Sequence, residues 1–267
     1  MDEKGVWRTI SGRRVFIADG QSITEAMKKS GKFSKTKSKD GEKNTNKRPS
    51  KKEIAAKAES LIEEGKKHVD KIYKDLKKFT DGKIEYETTV PNKETGGFFK
   101  STDFKLKTVK SEIRKLNEDL KEQYKHDKYY DLEKISKKQY DVVRFTEMCD
   151  GSKMASEFKK TVDRMEKNGY KEVRRKNSFF DYNLERPYRG INCVFEKDGY
   201  LFELQFHTPE SMKIKDRNHL LYEVARKSST PVSKKRALAL RMYNNSKRIR
   251  GIDKKVKELE SFNNLKK

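Results

Sequence analysis

The sequence predicts an α+β fold with a mixed β-sheet flanked by helices, and three observations support that prediction. Residues 189–196 and 200–207 alternate apolar and polar residues on either side of Lys197-Asp198-Gly199, which is typical of a β-hairpin. Apolar residues recur at helical spacing from Ile54 to Leu76, which predicts a long amphipathic helix. Strand and helix patterns are interspersed between these two segments, an order typical of an α+β or mixed-sheet domain.

The first 52 residues divide into two segments of different composition. Residues 5–17 alternate apolar and polar residues around Ser11 and Gly12, which predicts a small β-hairpin in a module spanning residues 1–30. Residues 31–52 are almost free of apolar residues and rich in Lys, Ser, Thr and Asn, the composition of a disordered basic linker. We therefore expect the main domain to span residues 53–267.

Eight further elements follow from periodicity along the main domain. Strands are predicted over 83–88, 103–107, 140–149 and 170–175, and helices over 109–120, 154–165, 209–226 and 233–260. The pair Asn168-Gly169 marks the end of the helix that begins near Met154, because glycine readily adopts the left-handed conformation that closes helices.

Composition restricts the possible partners. The 267 residues are 40% charged and carry a formal net charge of +24, which favours nucleic acid, nucleotide phosphates or an anionic surface. A general excess of lysine with basic tails is the alternative explanation. No stretch approaches the ~18 apolar residues of a membrane span, and the N-terminus lacks the apolar core of a signal peptide. We expect a cytoplasmic protein with no membrane partner.

The two cysteines, Cys149 and Cys193, both lie in apolar runs that are predicted to be strands. Their number and placement argue against a disulfide framework and against a cysteine zinc site. They are expected to be small core residues in a reducing compartment.

The run that begins at Glu203 carries the strongest signal for chemistry. In a strand, Glu203, Gln205 and His207 share one face, while Leu204 and Phe206 fall on the other. A carboxylate on a rigid strand beside an amide and a histidine suits a metal-phosphate or general-base site. The alternative is an edge strand with a solvated polar face.

A second group of candidates surrounds Thr108, where a strand is predicted to pass into a helix. Free backbone N–H groups at a helix N-terminus suit a polyphosphate, and lysines and a hydroxyl there strengthen the case. The candidates are Lys105, Lys107, Ser111 and Lys115. The alternative is a lysine-rich solvated helix face.

Three other positions complete the candidates taken from the residues alone. Asp141 lies in an apolar strand pattern, and together with Glu203 it offers the two carboxylates that a Mg²⁺-nucleotide site needs. Arg144, three residues further on, would lie on the face opposite Asp141 if the strand is regular. Tyr188 is placed to stack on a base or to serve as an ordinary turn residue.

Five segments of the chain, taken in order, resemble motifs of one family. The run Lys105-Leu-Lys107-Thr108-Val-Lys-Ser111-Glu-Ile-Arg-Lys115 is similar to R-x-K-S-x-x-S-x-x-x-K, and Asp141 follows where an aspartate opens a strand. Residues 187–192 are similar to G-Y-x-S-x-H, and residues 203–208 to E-x-Q-I-R-T. His219 lies at 219 − 203 = 16 residues beyond Glu203, where an E-H pair is found.

The family is the RelA/SpoT-like synthetases, ATP-dependent pyrophosphokinases that make the alarmones (p)ppGpp. The resemblance covers about residues 54–226 and implies a nucleotidyltransferase-like fold of the synthetase type. It implies that Asp141 and Glu203 hold Mg²⁺, with Glu203 also acting in catalysis. The implied ATP-binding residues are Lys105, Lys107, Ser111, Lys115 and Arg144. The implied acceptor-binding residues are Tyr188, Arg189, Asn192, Gln205, His207 and His219.

Several positions depart from the family pattern. Thr146 stands where an arginine is usual, Gly190 replaces a serine, Asn192 a histidine and His207 an arginine. The acceptor pocket is therefore expected to be altered, and these departures resemble a toxin-associated branch of the fold. Residues 5–33 resemble a short module of phage minor head proteins.

The resemblance implies transfer of pyrophosphate from ATP to a ribose hydroxyl of a nucleotide or of the tRNA 3′ end. A phage-associated or toxin-type effector in the bacterial cytoplasm would pair with an antitoxin or immunity protein. The alternative is a virion-associated structural protein, bound to a phage head protein through the N-terminal module, in which the fold binds without catalysis.

Overall fold

A computed structural model describes residues 5–10, 13–18, 47–84, 88–91, 98–101, 105–227 and 229–265. The chain divides into two compact units, Met1–Asn44 and Thr45–Lys267. None of the helices in the described part of the chain has the length and apolar character needed to cross a bilayer.

The first unit contains the N-terminal hairpin. Strand β1 (Gly5–Ile10) pairs antiparallel with β2 (Arg13–Ala18), and Ile10 lies opposite Arg13. The hairpin predicted around Ser11 and Gly12 is thus confirmed in its two strands, while the turn pair and residues 19–46 lie outside the described residues. The division of this segment into a module and a linker stays a prediction.

The second unit begins with a long helix, α1 (Lys51–Phe79), so Lys51 and Lys52 belong to this helix and not to the predicted linker. Ser50 and Glu53 form a capping box, in which the Ser50 hydroxyl accepts from the Glu53 N–H and the Glu53 carboxylate accepts from the Ser50 N–H. The predicted apolar stripe is confirmed, and it buries Ile54, Ala58, Ile62, Ile72 and Leu76.

The remaining helices lie between and after the strands. They are α2 (Val109–Asp127), α3 (Leu132–Ser136), α4 (Met154–Lys167), α5 (Pro209–Ala225) and α6 (Val232–Ser246). Helix α4 ends at Lys167 with Asn168 as its C-cap, and Gly169 then takes a φ of +79°, as the sequence predicts. A short hairpin of β3 (Thr88–Pro91) and β4 (Phe98–Ser101) is separate from the main sheet.

The main sheet has five strands in the order β5-β8-β7-β6-β9. They are β5 (Arg144–Met148), β6 (Lys171–Asn177), β7 (Ile191–Lys197), β8 (Tyr200–His207) and β9 (Phe262–Asn263). Strands β5 and β8 are parallel and the other pairs antiparallel, so the predicted mixed sheet with flanking helices is confirmed. The β7–β8 hairpin turns at Asp198 and Gly199, both at positive φ.

One face of this sheet carries the apolar core. Phe145, Phe202 and Phe206 of the sheet pack in one cluster with Phe158 of α4 and Leu76 of α1. Cys149 and Cys193 are buried free thiols in the same cluster, as expected. Because strand side chains alternate, the polar residues of β8 project from the opposite face, toward α5.

Three of the predicted strands, 83–88, 103–107 and 140–149, differ from the sequence pattern. Lys83 and Ile84 lie in a turn, because Asp81 and Gly82 take positive φ after α1, and residues 85–87 and 102–104 lie outside the described residues. Residues 140–143 are not part of β5, and Leu106 forms only an isolated bridge with Val143.

The predicted helix over 233–260 is also wrong in extent. Helix α6 ends at Ser246, Gly251 takes a φ of +66°, and a short 3₁₀ helix covers Lys254–Glu258. Helix α6 ends at Ser246 because the Arg189 guanidinium donates to the carbonyls of Ser246 and Ile249. These carbonyls are occupied by a side chain rather than by the next turn of helix.

Removing residues 1–44 is expected to leave the thermal midpoint of the main domain and any catalytic activity nearly unchanged, because this segment forms a separate compact unit. Removing residues 1–52 also deletes the Ser50 cap and the first residues of α1, which should cost about 1 kcal/mol. Thermal unfolding of both truncated chains checks this. A loss of stability as large for the first truncation as for the second would contradict the division.

Candidate functional site

The polar side chains of β8 form a buried row. Glu203, Gln205 and His207 are 8%, 4% and 0% exposed, on the face opposite Leu204 and Phe206. Strand β8 lies between β5 and β7, so it is a central strand. The alternative of an edge strand with a solvated polar face is therefore wrong.

Hydrogen bonds connect this row to α5. The Gln205 amide nitrogen donates to Glu203 Oε1 at 2.5 Å, and the Lys215 ammonium donates to Gln205 Oε1 at 2.6 Å. Burial raises the pKa of Glu203, and the positive charge of Arg144 opposes that rise. The carboxylate is thus desolvated and accepts a hydrogen bond from Gln205, as expected of a ligand-binding or proton-transfer group.

Arg144 belongs to the same site as Glu203. The two residues are register partners on the parallel strands β5 and β8, so their side chains project from the same face. The expectation that Arg144 lies opposite Asp141 rested on a regular strand through both positions. Because β5 begins at Arg144 and Asp141 lies in the preceding turn, strand alternation does not separate them.

Asp141 is held by two of the predicted lysines. Its carboxylate lies 2.7 Å from Lys107 Nζ and 3.4 Å from Lys115 Nζ. Burial opposes ionisation of Asp141, but the two lysines outweigh burial and lower its pKa. A carboxylate kept ionised in a largely buried setting suits a cation or a metal-bound phosphate.

Backbone pairing places these lysines. The Lys107 N–H donates to the Val142 carbonyl and the Arg144 N–H to the Lys105 carbonyl, so residues 105–107 run beside the segment that leads into β5. Thr108 then caps α2 by accepting from the Ser111 N–H at 3.2 Å. The predicted helix start at Thr108 is confirmed, and it brings Lys107, Lys115 and the N-terminus of α2 to Asp141.

Two residues of this region behave differently from the prediction. Lys105 Nζ lies over the Tyr73 ring of α1, 3.3 Å from its centroid, and no described contact joins it to Asp141. Glu112, which the sequence analysis missed, is fully buried and lies 3.2 Å from Lys107 Nζ. Burial raises the pKa of Glu112. One acidic residue in a first helical turn is too common to have indicated this.

A cavity of about 560 Å³ opens between the segment that precedes β7 and helices α5 and α6. Its lining includes Tyr188, Arg189, Lys215, His219 and Met242. Three of the predicted acceptor-binding residues thus border one cavity, and Lys215 connects the cavity to Gln205 and Glu203.

Tyr188, Asn192 and His207 form one hydrogen-bonded unit. The Tyr188 hydroxyl donates to Asn192 Oδ1 at 2.5 Å and lies 2.8 Å from His207 Nε2. Because a hydroxyl carries one proton, the Nε2–H of His207 must donate to Tyr188. Burial lowers the pKa of His207, which keeps the imidazole neutral.

Gly190 leaves the space that the Tyr188–Asn192–His207 unit occupies, because it has no side chain. A Cβ at this position would lie 2.4 Å from the Tyr188 hydroxyl oxygen and 2.7 Å from His207 Cε1. The departures at Gly190, Asn192 and His207 therefore depend on one another, since the glycine admits the contact that the other two make with Tyr188.

Arg189 has a different role from the predicted one. Its guanidinium is buried and donates to the carbonyls of Phe179, Ser246 and Ile249 at 2.8, 3.0 and 2.9 Å. These bonds fasten the end of α6 to the segment before β7. Arg189 shapes the cavity wall and is not free to bind an acceptor.

Asp141 and Glu203, the two predicted metal ligands, supply two carboxylates to the site. Asp141 raises the pKa of Glu203 by its charge, so the two carboxylates act on one another. No group of three or more acidic, histidine or cysteine side chains that could hold a metal occurs among the described residues. Two carboxylates fit Mg²⁺, which keeps several waters and takes its other ligands from phosphates, but they do not form a complete protein cage.

Comparisons with known proteins give a faint likeness. No protein-family model and no curated protein matches the chain. The chain is similar to the crystal structure of small alarmone synthetase 1 from Bacillus subtilis bound to its product pppGpp, with 15% identity and a TM-score of 0.45 over 71% of this chain and 88% of that one. Another structure of that synthetase gives 15% identity and a TM-score of 0.42 over 78% and 94%. Similarity at this level leaves any activity to be argued from the side chains of the site.

Proposed function

We propose that this protein transfers the β,γ-pyrophosphate of ATP to a ribose hydroxyl of a nucleotide or of the tRNA 3′ end. One observation carries the proposal: the partly buried Asp141 and the buried Glu203 lie among the cations Lys107, Lys115 and Arg144, and hydrogen bonds through Gln205 and Lys215 connect Glu203 to a cavity. The family motifs resembled by the sequence fall at these same positions, which supports the assignment.

The donor side of the proposed site consists of the lysines and Arg144. Phosphoryl-type transfer depends on positioning and on neutralising phosphate charge. Lys107, Lys115 and the N-terminus of α2 supply positive charge where the triphosphate would lie, with Ser111 in the first turn. Asp141 and Glu203 would hold Mg²⁺, which when bound neutralises phosphate oxygens.

The acceptor side is the cavity. Tyr188 presents a ring on which a base can stack, and its hydroxyl is fixed by Asn192 and His207. Glu203 is placed to accept the proton of the attacking ribose hydroxyl, because a buried carboxylate with a raised pKa is a stronger base than a solvated one.

The acceptor in this proposal is either a free nucleotide or the tRNA 3′ end, and one surface feature favours RNA. A groove of about 460 Å³ between α5 and α6 is lined by Arg217, Arg241 and Arg248, all exposed. From residue 224 to residue 252 the chain has no acidic residue. A free nucleotide does not need such a basic surface, whereas an RNA backbone does.

The biological setting belongs to the same proposal. A toxin-type or phage-associated effector in the bacterial cytoplasm, restrained by an antitoxin, would fit an altered acceptor pocket. If the fold serves only as a virion component, purified protein will transfer no phosphate and will be found in purified phage particles. Incubation of γ-labelled ATP with GDP, GTP, ADP and bulk tRNA tests the activity and identifies the acceptor.

Lys115→Met is expected to weaken ATP binding by about 1.5–3 kcal/mol, because a charge-assisted contact to phosphate is lost. Acceptor binding should change little. Lys115 is a cleaner test than Lys107, whose removal would leave the partly buried Asp141 and the buried Glu112 without their shared partner. Calorimetric titration with ATP measures the effect.

The matched control is Lys110→Met, on an exposed position of the same helix. If Lys115→Met binds ATP as tightly as this control, the lysines belong to a solvated helix face and the donor side is misassigned.

A further inference from the structure

Lys215 connects three parts of the candidate site. Its side chain extends from α5 to the polar face of β8, where Nζ lies 2.6 Å from Gln205 Oε1, and it also lines the cavity. Gln205 in turn donates to Glu203 Oε1. Lys215 lies outside the motifs that the sequence analysis identified, so nothing in the sequence indicated it.

The Lys215 ammonium group determines which way the Gln205 amide is oriented in this series of hydrogen bonds. An ammonium group can only donate, so it requires the amide oxygen of Gln205 to face it. The amide nitrogen must then face Glu203, and its N–H bond favours the ionised carboxylate. Glu203 Oε2 takes no part in this chain.

The charge of Lys215 is sensitive to pH in this setting. Burial, together with the positive charge of Arg144 on β5, lowers its pKa to about 8, while the charges of Asp216 on α5 and Glu203 on β8 oppose that change. Neutral His207 and the nearby His219 complete the titratable groups around it. A neutral amine can accept as well as donate, so above this pKa the amide of Gln205 is no longer forced into one orientation.

We propose that Lys215 is a positioning residue that orients Glu203 through the Gln205 amide, holding Oε1 and leaving Oε2 toward the reacting hydroxyl. The inference rests on the proposed function for its catalytic meaning. The hydrogen-bonded chain itself does not depend on which acceptor is used.

The first test is steady-state kinetics of Lys215→Met, Lys215→Arg and the control Lys213→Met, an exposed position on the same helix. Lys215→Met should lower kcat by about 10²-fold, because misplacing a reacting group costs this much, with little change in KM for ATP. Lys215→Arg should recover most of the rate. The wild-type rate should fall above about pH 8, and this alkaline limb should be absent in Lys215→Met.

A kcat and pH profile in Lys215→Met equal to those of the wild type would overturn the inference while leaving the proposed function intact. Equal loss of rate and of thermal stability in Lys215→Met and Lys215→Arg would also overturn it, because that pattern indicates a purely structural link between α5 and the sheet.

A second readout needs no activity. The ¹⁵N resonance of the Gln205 side-chain amide should titrate near pH 8 in the wild type and in Lys213→Met, and should not titrate there in Lys215→Met. If the wild type transfers no pyrophosphate, the proposed function fails and this titration still decides the positioning. An amide resonance that is indifferent to Lys215 would overturn it.

Discussion

Glu203→Gln is expected to lower pyrophosphate transfer by about 10²–10⁴-fold, the usual contribution of a positioned general base, and to leave the fold intact. The substitution keeps the shape of the side chain and removes its charge. Burial already makes that charge costly, since it raises the pKa of Glu203, so its loss should not destabilise the protein. Initial rates with saturating ATP and acceptor, together with thermal unfolding, measure both effects.

Glu196→Gln is the matched control, because Glu196 lies on β7 in the same hairpin, opposite Leu201 of β8, two residues before the polar row begins. Full activity of Glu203→Gln would remove Glu203 from the chemistry. Failure of Glu203→Gln to fold, with a normal Glu196→Gln, would make Glu203 a structural residue.

Glu147→Gln is expected to stabilise the protein by a few kcal/mol near pH 8 or above and by much less near pH 5. Glu147 of β5 is 1% exposed; Thr161 donates to its Oε1 at 3.1 Å, and its Oε2 has no hydrogen-bond partner among the described residues. Burial raises the pKa of Glu147 from 4.5 to about 8.

Proton linkage determines how the stability difference between Glu147→Gln and the wild type changes with pH. A carboxyl group whose pKa is higher in the folded state binds its proton more tightly there, so the stability it contributes is fully present below about pH 4.5 and is lost as pH rises through about 8. Each pKa unit corresponds to ~1.4 kcal/mol. Glutamine does not titrate, so the advantage of Glu147→Gln grows with pH.

Urea unfolding of wild type, Glu147→Gln and the exposed control Glu166→Gln, each from about pH 5 to about pH 9, measures this difference. The gap between Glu147→Gln and the wild type should widen with pH, while Glu166→Gln should follow the wild type. Parallel curves for Glu147→Gln and the wild type would show that Glu147 ionises normally in the folded protein.

The β7–β8 hairpin and the shared face of Glu203, Gln205 and His207 could be predicted because both depend on local periodicity and on the turn at Asp198-Gly199. The same reasoning placed the start of α2 at Thr108. These features need no knowledge of what lies across the fold.

The predictions that were wrong depend on contacts between segments that are far apart along the chain. The pattern around Asp141 is apolar enough for a strand, but Asp141 lies in a turn before β5, where it contacts Lys107 and Lys115. Arg144 enters the site through its register with Glu203 on β8. Arg189 looked like an acceptor ligand because the carbonyls that it binds are 57 and 60 residues away along the chain.

Lys215 was missed for a related reason. In a chain with 66 lysines and arginines, one more lysine on a helix carries no signal. Its role depends on its hydrogen bond to Gln205, which lies on a different element.

The nucleotide released from ATP distinguishes pyrophosphate transfer from other reactions. Transfer of the β,γ-pyrophosphate releases AMP, whereas a phosphate transfer or simple hydrolysis releases ADP. With purified protein, ATP, Mg²⁺ and an acceptor, the proposed transfer should give AMP in equal amount to an acceptor that has gained two phosphates, with both lost in Glu203→Gln. Formation of ADP, or no turnover with any of GDP, GTP, ADP and tRNA, would contradict it.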